Sequence, residues 1–365
     1  MIDNRILARD LRARGLLPIA CDPDAIASPQ PTRVQWDRVE GMLLGLAIGD
    51  ALGNTSESMP PAERVACHGE IRDYLPNRFA MSRRVGLPSD DTQLALWTLE
   101  RLARDGGLDP ARLSDDFSDG RVIFGLGSSV REFLRRRKAG VPWERAGAES
   151  AGNGALMRIA PVLVPHLGVP STALWADAAL AGAITHRDAA SIASCVAFIR
   201  VLWEVLQLAE RPRPGWFVET FCETARQVEG DDPRYESRAP AFQGRRVALW
   251  SFARGLVTDA LERGTDTVDA CDSWHSGAYL LETVPSALLL LERFAALPEE
   301  AVVRAVNDTW DNDTVAAIVG AAVGALHGVD GFPRRWRDGL LGRTGQSDDG
   351  AVFRIIDQAR RAFAT

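Results

Sequence analysis

Residues 37–57, DRVEGMLLGLAIGDALGNTSE, carry the reading that decides the fold. Apolar residues recur there at intervals of three and four, the period of a helix. Among them Gly41, Gly45, Gly49 and Gly53 fall at every fourth position and so line one stripe. Each costs about 1 kcal/mol of helix propensity relative to alanine, and something must offset that loss. Small residues at this spacing let helix backbones approach closely. A second stretch, NDTVAAIVGAAVGALHG at 312–328, repeats the device with Ala317, Gly320, Ala321, Gly324 and Gly328. Both helices are expected to pack tightly in the centre of the protein and to support whatever lies at their ends.

The same period runs through DDTQLALWTLERLARDG, ALMRIAPVLVPHLG and DAASIASCVAFIRVLWEVLQLAE, whereas alternating strand patterns are hard to find. The expected fold is therefore all-α, one compact multi-helix bundle, with connections near 54–88, 209–215, 229–246 and 328–350. No fixed-period repeat is present, which disfavours a solenoid.

A chain of 365 residues with 46% apolar and 25% charged residues has a real core. Its net charge of −7 argues against an extended nucleic-acid surface, which needs clustered Lys and Arg. Five cysteines, at 21, 67, 195, 222 and 271, form no Cys-x-x-Cys and lack partner histidines, so neither a disulfide framework nor a zinc site is expected. The N-terminus, MIDNRILARDLRARG, is too interrupted by charge for a signal peptide, and no apolar run reaches the roughly 18 residues of a membrane span. A reduced cytoplasm is the expected compartment.

Oxygen-bearing side chains crowd three helix ends. Ser89, Asp90, Asp91 and Thr92 open the helix of GLPSDDTQLALWTLERL, residues 86–102; Asp311, Asp313 and Thr314 open the second glycine-striped helix; Glu57 follows the first. Ser and Asp cap free N–H groups and suit the helix dipole, which is one account of them. If the three sites met, five carboxylates would repel by about 4 kcal/mol per pair at ~4 Å and a dielectric near 20, and a cation would be required. Only oxygens are on offer, which matches the hard ions Mg2+, Ca2+ or Mn2+. Spacing alone leaves capping and metal binding both open.

SAGNGALMRIAPV sets Gly152 and Gly154 around Asn153 ahead of an expected helix, where N–H groups would receive a diphosphate; a simple turn is the plain alternative. It is no P-loop, and GLGSSV at 125–130 is no dinucleotide fingerprint. His186 in ITHRD and Tyr279 in SGAYLLETVPSALLL read equally as core residues.

Taken together, GMLLGLAIGDALGNTSE, PSDDT, GNGALMR, ITH and DNDTVAAIVGAAVGA, in that order over about residues 38–328, resemble the ADP-ribosylglycohydrolase family. The resemblance implies an all-α protein holding two Mg2+ ions, or Mn2+, at the base of a cleft. It implies that Ser89, Asp90 and Asp91 ligate from one helix start and Asp311, Asp313 and Thr314 from another. Glu57 matches an acidic residue on a mobile loop near the ions, and Glu57, Asp90, Asp91 and Asp313 become the catalytic candidates. Gly127, Ser128, Ser129, Ser150, Gly152, Asn153 and Gly154 are assigned to ribose and phosphates, His186 to the nucleotide side of the cleft and Tyr279 to the adenine. The implied reaction is hydrolysis at C1 of the distal ribose, releasing ADP-ribose from a modified acceptor such as protein arginine or serine.

Two departures stand out. The hydroxyl of the first acidic motif is Ser89 where Thr is more usual, and Thr309-Trp310 replaces a Gly-Gly pair ahead of the second. A bulky indole is expected to reshape the entrance. Residues 1–36 form an N-terminal extension ahead of a domain spanning 37–365. That extension motivates a rival reading, a partner-blocking immunity-type protein against an ADP-ribosylating toxin; a non-catalytic ADP-ribose sensor is a third.

Overall fold

The computed structural model describes residues 3–30, 34–208, 210–343 and 350–364. Parts of the expected extension (1–2 and 31–33) and of the expected connections (209 and 344–349) lie outside the described residues. The helices, in chain order, begin with α1 (Asn4–Ala13), α2 (Trp36–Gly53), α3 (Pro61–His68), α4 (Asp90–Asp105), α5 (Pro110–Phe117) and α6 (Ser128–Lys138). They continue with α7 (Trp143–Ala146), α8 (Ala173–Thr185), α9 (Ala189–Val205), α10 (Trp216–Glu229), α11 (Leu249–Arg263) and α12 (Thr267–Ser273). The last are α13 (Leu280–Phe294), α14 (Pro298–Asp308), α15 (Asn312–His327), α16 (Arg334–Gly339) and α17 (Ala351–Phe363).

The all-α expectation holds, with additions inside three segments read as plain connections. Residues 54–88 contain α3, and 328–350 contain α16. Two antiparallel ribbons also form, Pro76–Asn77 (β1) with Arg83–Arg84 (β2), and Tyr235–Glu236 (β3) with Arg246–Val247 (β4). Strands two residues long have no periodicity to read, which is why alternation gave no sign of them.

At the centre, α2 and α15 run antiparallel with their glycine stripes face to face. A methyl on Gly41 would sit 2.5 Å from the carbonyl carbon of Gly328, one on Gly53 2.5 Å from the nitrogen of Asp313, and one on Gly324 2.5 Å from the carbonyl carbon of Gly41. Backbone therefore lies on backbone along the whole contact, and dispersion over that length offsets the weak propensity of glycine. Gly324→Ala should destabilise the protein by about 3 kcal/mol through overpacking, although propensity alone would favour alanine by about 1 kcal/mol. Urea unfolding of the variant checks the sign.

The described part of the extension lies against the body. Ala8 and Leu11 of α1 are buried, and Asn4 Nδ2 donates to the Leu108 carbonyl at 2.9 Å and to Asp177 Oδ1 at 2.6 Å. Farther on, Ala20 N donates to the Val228 carbonyl and Trp175 Nε1 to the Ala27 carbonyl. All five cysteines are free thiols, and no helix among the described residues is long and apolar enough to cross a membrane.

Candidate metal centre and cleft

Because α2 and α15 are antiparallel, the C-terminal end of one meets the N-terminal start of the other. Glu57, which follows α2, is thereby brought to Asp311 and Asp313, and the start of α4 packs on the same end. Carboxylate oxygens of Glu57, Asp311 and Asp313 lie within 4.8 Å of one another, and so do those of Asp50, Asp91 and Asp313. Asp313 belongs to both groups.

Asp50, on the last turn of α2, is the member sequence reading missed. It sits inside GLAIGDALG, where a single acid in an apolar helix carries no spacing signal. Its Oδ1 accepts from the Ser89 hydroxyl at 2.6 Å, and its Oδ2 accepts from the backbone N–H groups of Ser89 at 2.9 Å and Thr92 at 3.1 Å and from the Thr92 hydroxyl at 2.5 Å. The first turn of α4 is thus capped by a carboxylate from another helix. This corrects the capping reading: Ser89 occupies the cap position but makes no side-chain cap bond, and its hydroxyl is spent on Asp50.

With Asp50 doing the capping, Asp90 and Asp91 are free to face the other acids. Asp91 is almost fully buried and its Oδ1 has no hydrogen-bond partner. Burial pushes the Asp90, Asp91 and Asp313 carboxyls well above the usual carboxylate range, and the neighbouring acids push them further. Asp311 is also raised by burial, though the Asn153 amide, donating to its Oδ2 at 2.5 Å, works the other way. Desolvation, then Asp311 and Asp50, lift Glu57 to about 7. Buried anions without a cationic partner are costly, and an orphaned carboxylate oxygen aimed into an all-oxygen cluster fits a hard divalent cation.

Above these acids lies a cleft of about 280 Å3. Glu57, Asp90, Asp91, Asp311, Asp313 and Thr314 form its floor. Its walls include Gly127, Ser128 and Ser129 on one side, then Ser150, Gly152, Asn153, Gly154, His186 and Tyr279. Distant segments are therefore gathered as expected, Ser89 alone standing behind the floor on Asp50.

The glycine-rich segment does differ from expectation. Gly152 N donates to Ser150 Oγ and Asn153 N to the Ala278 carbonyl, and only a three-residue 3-10 turn, Leu156–Arg158, follows. The segment pairs with the chain at Tyr279 rather than offering a helix end. The helix that does start at the cleft is α6, with Gly127 as its cap and Ser128 and Ser129 in its first turn. Tyr279 is half-buried, and the Arg238 guanidinium, which sequence reading did not single out, lies 5.1 Å from its ring centre. Trp310 is not on the cleft wall; it tilts against His275 with ring centres 4.7 Å apart.

Arg158 explains the state of His186. It is fully buried, and its NH2 donates to the Thr185 hydroxyl at 2.7 Å and the Ala181 carbonyl at 3.0 Å. Arginine only donates, so the Thr185 oxygen accepts there and its own hydrogen goes to the one other partner in reach, His186 Nδ1 at 3.0 Å. His186 consequently carries its proton on Nε2, the atom that faces Gly152 and Gly154. Burial, then the Arg158 charge, lowers its pKa to about 3, which keeps the ring a neutral N–H donor into the cleft. Thr185→Val should remove the relay and let the two tautomers mix, visible in the nitrogen-15 spectrum of the imidazole.

The sequence model of the ADP-ribosylglycohydrolase family matches residues 30–363. The chain belongs to that family. It is 28% identical to ADP-ribosylarginine hydrolase Tri1 of Pseudomonas putida over 82% of this chain and 73% of that protein. It is 27% identical to ADP-ribosyl-[dinitrogen reductase] glycohydrolase of Rhodospirillum rubrum over 82% and 89%. A solved structure described as an ADP-ribosylglycohydrolase-related protein complex aligns over 90% of this chain and 98% of its own, with a TM-score of 0.64 and 25% identity. As a member of the ADP-ribosylglycohydrolases the chain is a hydrolase acting on the glycosidic bond of ADP-ribosylated substrates.

Proposed function

We propose that this ADP-ribosylglycohydrolase releases ADP-ribose from a modified protein side chain by hydrolysis at C1 of the distal ribose, using two Mg2+ ions, for which Mn2+ can substitute. The observation that carries this reading is the pair of carboxylate groups sharing Asp313 on the cleft floor, with Asp91 Oδ1 unpartnered among them. Glu57, Asp50, Asp90, Asp91, Asp311, Asp313 and Thr314 would hold the ions. When bound, a divalent pair supplies Lewis-acid polarisation and neutralises the buried acids.

The chain's own residues do the rest. Hydrolysis of a sugar bond passes through an oxocarbenium-like state that needs a proton at the leaving atom and a base for water. Glu57, Asp90, Asp91 and Asp313 share ligation with that proton transfer. The Nε2–H of His186 donates to a ribose or phosphate oxygen. The N-terminus of α6 favours negative charge beside Ser128 and Ser129. Tyr279, with Arg238 at its ring, offers a face to the adenine.

Asp313→Asn is expected to abolish ADP-ribose release while leaving the helical circular-dichroism spectrum unchanged, because only the shared ligand is lost. A panel of ADP-ribosylated arginine and serine peptides, assayed with Mg2+ and with EDTA, tests the reaction and its metal dependence. Release that persists in EDTA would refute the metal reading.

A further inference from the structure

Past Glu57 and Gly125 the cleft opens into a second groove of about 530 Å3, and both of those residues line both spaces. Glu57 belongs to the acid floor and the Tyr279 end of the first cleft lies away from this groove, so on the hydrolase reading the groove faces the leaving side of the sugar bond. The position makes it the place for the acceptor.

Its chemistry is one-sided. Glu57 is the only acid among the described residues on its wall, whereas Arg78 and Arg343 both line it. Arg83 and Arg84 of β2 are exposed and pair across the ribbon with Asn77 and Pro76, which also line the groove. Among the described residues none of Arg78, Arg83 and Arg84 has a carboxylate within 4.0 Å. Arginines on the adjoining surface are engaged, Arg72 with Glu300 at 2.8 Å and Arg335 with Asp73 at 2.7 Å. The uncompensated charge is thus confined to the strip beside the groove. It is presented by a turn in which Met81 and Ser82 both have positive φ, 56° and 57°, and Asn77 Oδ1 accepts the N–H of Phe79. Non-glycine residues hold that conformation only where the surroundings enforce it.

A cationic arginine side chain finds no counter-charge here beyond the acid floor, so the wall repels the acceptor of an ADP-ribosylarginine substrate. The rings also discriminate. Arg343 lies 3.8 Å from the Phe124 ring centre and Arg78 4.7 Å from that of Phe79, and the two rings are 6.2 Å apart. With guanidinium groups already stacked on both, the rings make a poor platform for bases, which need open faces. What they leave is an apolar shelf, with Phe79 and Met81 62% and 83% exposed, edged by arginines.

We infer, resting on the hydrolase reading above, that the groove selects an acidic protein segment as acceptor, with carboxylates of the residues flanking the modified side chain meeting Arg78 and Arg84 and an apolar neighbour on Phe79. The bond broken is that between C1 of the ribose and the acceptor atom. Water supplies hydroxyl to C1 and a proton to the acceptor.

The test uses three ADP-ribosyl-serine peptides whose flanking residues are acidic, neutral or basic, and an oligonucleotide ADP-ribosylated on its terminal phosphate, with the full-length Mg2+-loaded protein. The acidic peptide is expected to have a kcat/KM at least tenfold above the basic one at low salt, through KM, and to lose that advantage as salt rises. The double variant Arg78→Glu, Arg84→Glu is expected to invert the order, the basic peptide now being preferred, while inhibition by free ADP-ribose stays unchanged. Equal rates for the peptides, or a preference that survives charge reversal, overturns the inference and leaves the hydrolase reading intact. Preference for the oligonucleotide overturns the peptide assignment. No ADP-ribose release from any of the four substrates overturns both.

Discussion

Asp91→Asn is expected to make the metal-free protein more stable at pH 8 and to leave it inactive. Asp91 is buried, its Oδ1 lacks a partner, and its carboxyl is raised by burial and by Asp50, Asp313 and Asp90. Ionising it in the folded protein therefore costs free energy, about 1.4 kcal/mol for each unit by which its native pKa exceeds the unfolded value. An amide carries no charge and donates to the acids around it, so the substitution should stabilise the metal-free form by at least about 1 kcal/mol. Activity should fall more than about 100-fold, since even changes behind a ligand cost 10–100-fold. Asp50→Asn, three residues from the end of α2, should behave oppositely in stability. It breaks the acceptor of two hydroxyls and two backbone N–H groups at the start of α4, a loss of about 2 kcal/mol or more. Thermal melts of both variants in EDTA separate the two roles, and a destabilised Asp91→Asn would contradict the account.

The second large effect is the exchange between protons and metal. Glu57, Asp90, Asp91, Asp311 and Asp313 all have folded pKa values above their ordinary ones. Between the ordinary carboxylate range and those raised values the folded protein binds more protons than the unfolded chain, so its stability falls as pH rises. For Glu57 the window runs from 4.5 to about 7, and for the buried aspartates it starts near 3.8. The metal-free protein should therefore melt at lower temperature at pH 8 than at pH 5.5, the reverse of the usual behaviour of carboxylates held in salt bridges. Mg2+ should erase the slope, adding about 2.7 kcal/mol at a hundredfold excess over its Kd. A melting temperature independent of pH in EDTA would show that the acids do not face one another.

Much of the candidate site was legible because its parts are motifs of fixed spacing. Asp90 and Asp91 are consecutive at a helix start, Asp311 and Asp313 bracket another, and the joint order of these with GNGALMR and ITH carries the family resemblance. Other parts have no linear trace. Asp50 is one acid in an apolar run, and its role depends on Ser89 and Thr92 lying 39 and 42 residues away. Arg158 looked like a surface charge in ALMRIAPV, yet burial beneath Thr185 makes it the residue that fixes the His186 proton. Arg238 and the arginine strip beside β1 and β2 fall in stretches without periodicity.

The sequence by itself determined the helical class and the two glycine-striped helices, because period and propensity act within a few turns of the chain. It also determined which oxygens stand at helix starts. Only the tertiary structure decided that the stripes face each other antiparallel, and with that contact Glu57 and Asp50 arrive at Asp313. Charge repulsion, capping across helices and the direction of a histidine proton depend on through-space distances of a few ångströms, and those are fixed by packing rather than by position along the chain.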